Sequence, residues 1–198
     1  MRRLQASGSA EEVSATVLLD LIYGWANGSW STGPEYAQVC MEAGEQVDGP
    51  ILECGSGLST LLLGWAARHS GAEVWAFEHK EEWADRVRKE LDKYDLNNVT
   101  IFTTPLRDYG NFVWYDPPLG DLPEDFGLVV CDGPPGDVKG HRYGVVPVMR
   151  EHFAPNVLIL MDDADREGER RVLDKWCRSE EGMYSIEGNE ETFAKVWL

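Results

Sequence analysis

An α/β fold, with a mostly parallel sheet held between two helical layers as a three-layer sandwich, is predicted by three features of this 198-residue sequence. Short apolar runs at 51–52, 73–78, 99–103, 126–131 and 156–161 alternate with stretches of helical periodicity, and strands that alternate with helices build parallel sheets. Several of these runs end in glycine, proline or an acidic residue, the usual punctuation where a chain leaves a sheet. Two last runs, 183–187 and 193–198, flank a turn at Gly188 and Asn189. They predict an antiparallel hairpin that closes the sheet with a reversed strand.

In chain order, residues 1–10 are small and polar and read as a loose tail. Over 11–26, Val13, Val17, Leu18, Leu21, Ile22 and Trp25 recur at helical spacing, and Asn27, Gly28 and Ser29 stop that helix. After Trp30 and Ser31, Thr32 and Glu35 have capping-box spacing with Pro34 in the first turn, which predicts a second helix to about residue 43. Its start either faces a ligand crevice or belongs to an ordinary packing helix.

The first strand passes through Gly55, Ser56 and Gly57 into a helix over 58–68. The second strand closes on Glu78, His79 and Lys80, and the helix over 81–94 carries Trp83, Val87 and Leu91 on one face. Asn97 and Asn98 turn the chain into the third strand. Residues 107–125 are irregular, with Phe112, Trp114 and Tyr115 in a short extra strand that covers either a sheet edge or a ligand. The fourth strand ends at Asp132, and Gly133, Pro134, Pro135 and Gly136 then force the chain out of the sheet. The polar residues 137–143 have a mobile character and carry His141, Arg142 and Tyr143 within reach of the crevice mouth at the end of the fourth strand. A helix to about 153 leads into the fifth strand. Asp162, Asp163, Ala164, Asp165 and Arg166 follow it, before a helix over 166–179 that turns Val172, Leu173 and Trp176 inward. One domain accounts for the whole of 1–198, with 1–49 as cap helices and 50–198 as the sheet-bearing core.

A formal charge of −17 argues against a nucleic-acid partner, because such affinity comes largely from cations that neutralise phosphates. Arg68, Arg86, Arg88 and Lys89 read as solvated helix faces. Cys40, Cys54, Cys131 and Cys177 lack metal-ligand spacing. Buried free thiols and a reducing compartment are the expectation, with Cys54 and Cys131 at the ends of neighbouring strands. No apolar run approaches a membrane span and no signal-peptide core follows Met1, so the expected location is the cytoplasm. The oligomeric state is left open.

The residues around the first glycine turn narrow the ligand. A strand, a glycine turn and a helix start form the crevice in which open α/β sheets hold ligands, and the helix start offers free N–H groups to an anionic part of one. A dinucleotide fingerprint wants a third glycine, where this chain has Thr60. Glu53 stands two residues before the first glycine, where a carboxylate repels a pyrophosphate but suits a cationic ammonium.

This E-x-G-x-G arrangement of Glu53, Gly55 and Gly57 resembles motif I of the class I S-adenosylmethionine-dependent methyltransferases. The resemblance covers about residues 50–198 and implies a Rossmann-like seven-stranded sheet with its last strand reversed. It implies S-adenosyl-L-methionine as cofactor, held by Glu53, Gly55, Ser56 and Gly57, with Glu78 on the ribose hydroxyls and Leu106 by the adenine. The segment Asp132, Gly133, Pro134, Pro135, Gly136 resembles the fourth-strand motif of small-substrate members, which places Asp132 beside the transferable methyl group and implies a small-molecule acceptor. Asp116, Pro117 and Pro118 are read as a turn, since the base-flipping amino-methyltransferase motif wants an aromatic where Leu119 stands and belongs at the end of the fourth strand.

For a hydroxyl acceptor a base or a metal must deal with the proton. His141, on a loop beside the site, is the candidate base. Asp132, Asp162 and Asp163 resemble in position the magnesium ligands of catechol-type O-methyltransferases, with Asp163 replacing an asparagine; Mg2+ is therefore a candidate cofactor. The alternative readings are a NAD-binding oxidoreductase on the same fold and a non-catalytic, methyltransferase-like binding protein.

Overall fold

The structure, a computed structural model, describes residues 1, 3–26, 32–189 and 191–198. The predicted helix stop at Asn27, Gly28 and Ser29, together with Trp30 and Ser31, lies outside them. The first helix, α1 (Ala15–Trp25), starts later than its apolar periodicity because the Ser14 hydroxyl accepts from the Val17 amide and fixes the start there. Next comes α2 (Pro34–Gln46), with Pro34 in its first turn as expected. The Thr32–Glu35 capping box does not form. Gly33 is the N-cap, and Glu35 instead accepts from the backbone and side-chain amides of Asn189, both at 2.9 Å. Two donors in the distant turn outcompete one at the helix start.

The core alternates β1 (Ile51–Cys54), α3 (Leu58–Ser70), β2 (Val74–Glu78), α4 (Glu81–Lys93) and β3 (Val99–Thr103). Between β3 and β6 (Phe126–Cys131) there is no α-helix but a small hairpin of β4 (Leu106–Asp108) and β5 (Val113–Tyr115). Pro105, Gly110, Pro117, Pro118 and Gly120 leave no room for a helical run. The chain ends with α5 (Val145–Met149), β7 (Phe153–Asp162), α6 (Glu167–Glu180), β8 (Met183–Glu187) and β9 (Phe193–Trp197). The helix expected to reach residue 153 stops four residues short, at Met149. A 3-10 turn carries the chain to Phe153, which already pairs with Phe126.

The seven-stranded sheet has the order β3-β2-β1-β6-β7-β9-β8, with β9 antiparallel to both its neighbours and the other contacts parallel. The strand order changes sense between the parallel neighbours β1 and β6, where Cys54 sits opposite Cys131. Both are buried free thiols, as expected. Along β1 the four residues alternate faces but are all buried, as they must be in a sheet covered on both sides. Ile51, Val74, Val130 and Leu160 pack with Tyr36, Cys40 and Leu63 of α2 and α3. Leu52, Cys54, Val129 and Ile159 pack on the other face with α5, α6 and the β4–β5 hairpin, through Val145, Leu173, Trp176 and Trp114. Among the described residues no helix is long and apolar enough to cross a membrane.

Candidate active site

The parallel register brings the ends of β1, β2, β6 and β7 to one rim, where they carry Gly55, Glu78, Asp132 and Asp162. A switch in strand order at such a rim opens a crevice. Here it is a cleft of about 340 Å³, lined by Gly55, Ser56, Glu78, His79, Lys80 and Trp83 on one side and Tyr115, Asp132, Arg142, Asp162, Asp163 and Arg166 on the other. Gly55 lies at φ +94°, and a Cβ there would come within 3.2 Å of the Gly133 amide nitrogen. Only glycine lets the loops after β1 and β6 approach so closely at that φ.

On the β1–β2 side the Ser56 amide and hydroxyl both donate to Glu78 Oε2, at 3.3 and 3.0 Å. Glu78 Oε1 accepts from the Lys80 amide at 2.8 Å and lies 3.2 Å from His79 Nδ1. Burial works to raise the Glu78 carboxyl, but the His79 ring, the Lys80 amide and the Ser56 hydroxyl more than offset it, so the group stays below its ordinary value and ionised. Trp83 Nε1 donates to the Ser56 carbonyl at 2.6 Å, closing the turn from outside. Arg86 is exposed on its helix face, as expected, but it is also engaged. Its guanidinium lies over both Trp25 and Trp83, at 4.8 and 4.7 Å from the ring centroids, and donates to the Trp25 carbonyl at 2.6 Å.

The opposite side holds the acids. Asp132, Asp162 and Asp163 place oxygens within 4.8 Å of one another. Burial, then Asp132 and Asp163, push the Asp162 carboxyl up to about 7. Burial and Asp163 raise Asp132, while Arg142 pulls it back. The Arg142 side chain, expected within reach of the cleft mouth on a mobile loop, is only 2% exposed. Its Nη2 donates to Asp163 Oδ2 at 2.7 Å and to Asp132 Oδ1 at 3.2 Å. Burial disfavours its charge, but these carboxylates outweigh that and hold the guanidinium more firmly protonated than usual.

The structure brings Gly55, Ser56, Glu78, Asp132, Asp162 and Asp163 together at the cleft and leaves other predicted residues away from it. Glu53 is 1% exposed and does not line the cleft. It turns beneath α3, where Oε1 accepts from the Ser59 hydroxyl at 2.6 Å. Burial, only partly offset by Ser59 and Thr60, raises its carboxyl to about 8, so it is mostly protonated at neutral pH and presents no full charge to a ligand. Gly57 caps α3, its amide donating to Thr60 Oγ1 at 2.8 Å, and is not a lining residue. Leu106 has gone into the β4–β5 hairpin, opposite Tyr115, and packs on the core. His141 also stands outside the lining; its ring lies against Gly168, with Nδ1 3.6 Å from Glu169 Oε1.

Magnesium fits the acid cluster poorly. The bonds from Arg142 to Asp132 and Asp163, and from Arg166 Nη2 to Asp163 Oδ1 at 2.8 Å, already engage both Asp163 carboxylate oxygens and one of Asp132 with cations. Of the other lining residues, Arg142, expected within reach of the cleft mouth, and Tyr115, expected over a sheet edge or a ligand, both line the cleft; the sequence places Trp83 only on a packed helix face. The two prolines and two glycines before Arg142, which fold its loop back over β6, were the available signal for it.

A family model described as a methyltransferase domain matches residues 52–164. No curated protein sequence matches this chain. Among solved structures, an O-methyltransferase from Bacillus cereus in complex with S-adenosylhomocysteine aligns with a TM-score of 0.66 at 17% identity, over 93% of this chain and 90% of that one. An S-adenosylhomocysteine-bound methyltransferase from Podospora anserina, PaMTH1, aligns with a TM-score of 0.65 at 16% identity, over 94% and 88%. The O-methyltransferase TomG from Streptomyces achromogenes, in complex with S-adenosylmethionine, gives 0.62 at 13% identity, over 93% and 88%. At these identities the likeness is one of fold.

Proposed function

Since this chain belongs to the methyltransferase-domain family and is an S-adenosylmethionine-dependent methyltransferase, we propose that it methylates an oxygen of a small-molecule acceptor. The observation that carries the reading is the ionised Glu78 at the tip of β2, tied to Ser56 across the rim from Asp132 and Asp162. A carboxylate so placed offers acceptor lone pairs to ribose hydroxyls. The Ser56 and Gly55 backbone forms the floor, and Trp83 gives one wall an apolar surface for a planar base. Glu53 acts from behind, bracing α3 through Ser59, and is a support for the turn rather than a ligand of the ammonium group.

When bound, the cofactor supplies a methyl group on a sulfonium that leaves as a neutral thioether. The protein's share of the work is alignment of the acceptor oxygen and removal of its proton. Asp162 suits the second task because it lines the cleft and titrates near neutrality. His141, outside the lining, does not. Asp132 and Arg142 set the charge around the acceptor. The acidic surface, the buried free thiols and the shape of the cleft support a cytoplasmic enzyme without a nucleic-acid partner, its helices before residue 50 serving as a cap on the core.

Calorimetric titration with S-adenosylmethionine, S-adenosylhomocysteine and NAD tests the cofactor assignment. Binding of the first two and not the third is the expected result. NAD binding alone would return the oxidoreductase reading, and binding of none would return the binding protein. Trials of phenolic, sugar and carboxylate acceptors, with product analysis by mass spectrometry, then test the oxygen preference.

A further inference from the structure

Three carboxylates at the ends of neighbouring strands are a hard-oxygen set of the kind that attracts a divalent cation. In this molecule a cation from within the chain already holds two of the three carboxylates. Arg142 reaches in from the loop after β6. Besides its bonds to the Asp132 and Asp163 carboxylates, Nη2 donates to the Asp132 carbonyl at 2.7 Å and Nη1 to the Asp162 carbonyl at 2.5 Å. From the far side Glu169, with no exposed side-chain surface, faces Nη1 at 3.8 Å. Neither Glu169 oxygen has a hydrogen-bond partner among the described residues; the basic groups that face it are the Arg142 guanidinium and, at 3.6 Å, His141 Nδ1.

We propose that Arg142 is the resident cation of this site: it takes the place of a divalent ion among Asp132, Asp162 and Asp163, excludes one, and fixes the ends of β6 and β7 as a metal would. A planar fork suits this role, since it engages two carboxylates and two carbonyls at once, which an ammonium cannot do. A divalent ion set among the same oxygens would face an immobile positive charge within a few ångströms, and in a partly buried site that repulsion is poorly screened. Arg142 is thus a positioning residue, acting through Asp132 and Asp162. The bearing on catalysis rests on the methyltransferase reading, whereas the exclusion of cations stands apart from it.

Manganese(II) is the probe, with its electron paramagnetic resonance signal reporting the free ion in titrations of the full chain. Wild-type protein is expected to leave the free-ion signal undiminished. Arg142→Met should bind one equivalent, and adding Asp163→Ala to that variant, which removes the ligand oxygen outright, should abolish the binding. Stoichiometric binding by the wild type would overturn the proposal on its own, and so would a folded Arg142→Met that binds none. If circular dichroism shows Arg142→Met unfolded, Arg142→Gln, which can still donate to the carbonyls, takes its place under the same criteria. Failure to bind S-adenosylmethionine would defeat the proposed function and leave the manganese result standing, so the two failures can be told apart.

Discussion

Ser56 and Glu78 are joined twice, through the serine amide and the serine hydroxyl, to a single carboxylate oxygen. The glycine turn of β1 and the tip of β2 therefore move as one unit, and the other oxygen is held by the Lys80 amide. Glu78→Ala should weaken S-adenosylmethionine binding by about tenfold or more, as loss of hydrogen bonds to a charged group costs about 1.5–3 kcal/mol. Glu78→Gln, able to accept but uncharged, should fall between. Calorimetry decides this, and unchanged affinity in the alanine variant would reject the ribose role.

A second test concerns Trp83, which donates to the Ser56 carbonyl while stacking under Arg86. Arg86→Ala removes two cation–π contacts and one hydrogen bond to the Trp25 carbonyl. It should destabilise the protein by about 1–3 kcal/mol, read from urea unfolding. Cofactor affinity should drop as well, because Trp83 loses its support. A stability loss with unaltered affinity would show that α1 and the cleft are uncoupled.

For Glu53 the direction of the pH effect is opposite to that of a salt-bridged acid. Its carboxyl titrates at about 8 in the folded chain, raised by burial above its ordinary 4.5. Between those values the unfolded chain releases this proton and the folded chain keeps it, so the contribution of Glu53 to stability falls as pH rises, by at most about 1.4 kcal/mol per unit. Glu53→Gln removes that slope. Relative to wild type, the variant should gain stability steadily from pH 5 to pH 8 in denaturant titrations. A constant difference would mean that Glu53 is ionised in the fold.

Asp162 supplies a kinetic counterpart. With its carboxyl near 7, turnover of a hydroxyl acceptor should rise through neutrality as the carboxylate forms and then level off. Asp162→Asn should lower kcat by about 100-fold to 10,000-fold and abolish the rising limb, while His141→Ala should keep it. A profile that is flat across neutrality would exclude Asp162 as the base.

The strands, the reversed final hairpin and the glycine turn were legible because they rest on local patterns: short apolar runs, turn residues and tight spacing. The rim residues Glu78, Asp132 and Asp162 followed from them, since the end of a strand is a position that sequence specifies. The direction in which a side chain leaves that end was less accessible. β1 is buried along both faces and shows no alternation, so nothing local reveals that Glu53 turns beneath α3. Arg142 sits in a polar loop that reads as mobile and within reach of the cleft mouth, but its burial against Asp132 and Asp163 depends on two strand ends that no local pattern brings together. The Glu35 carboxylate shows the same limit, because its partner Asn189 lies 154 residues away.

The pairing of β1 with β6 sets when binding competence can arise. Cys54 and Cys131 meet across a long stretch of chain, and the cleft draws Ser56 and Glu78 from the first part of that stretch and Asp132, Arg142 and Asp162 from beyond its end. Contacts so remote in sequence are slow to form during folding. An emerging nascent chain could complete α3, β2 and α4 and still offer the nucleoside only half of its enclosure. Capture of the methyl donor is thereby reserved for molecules whose two halves have already docked.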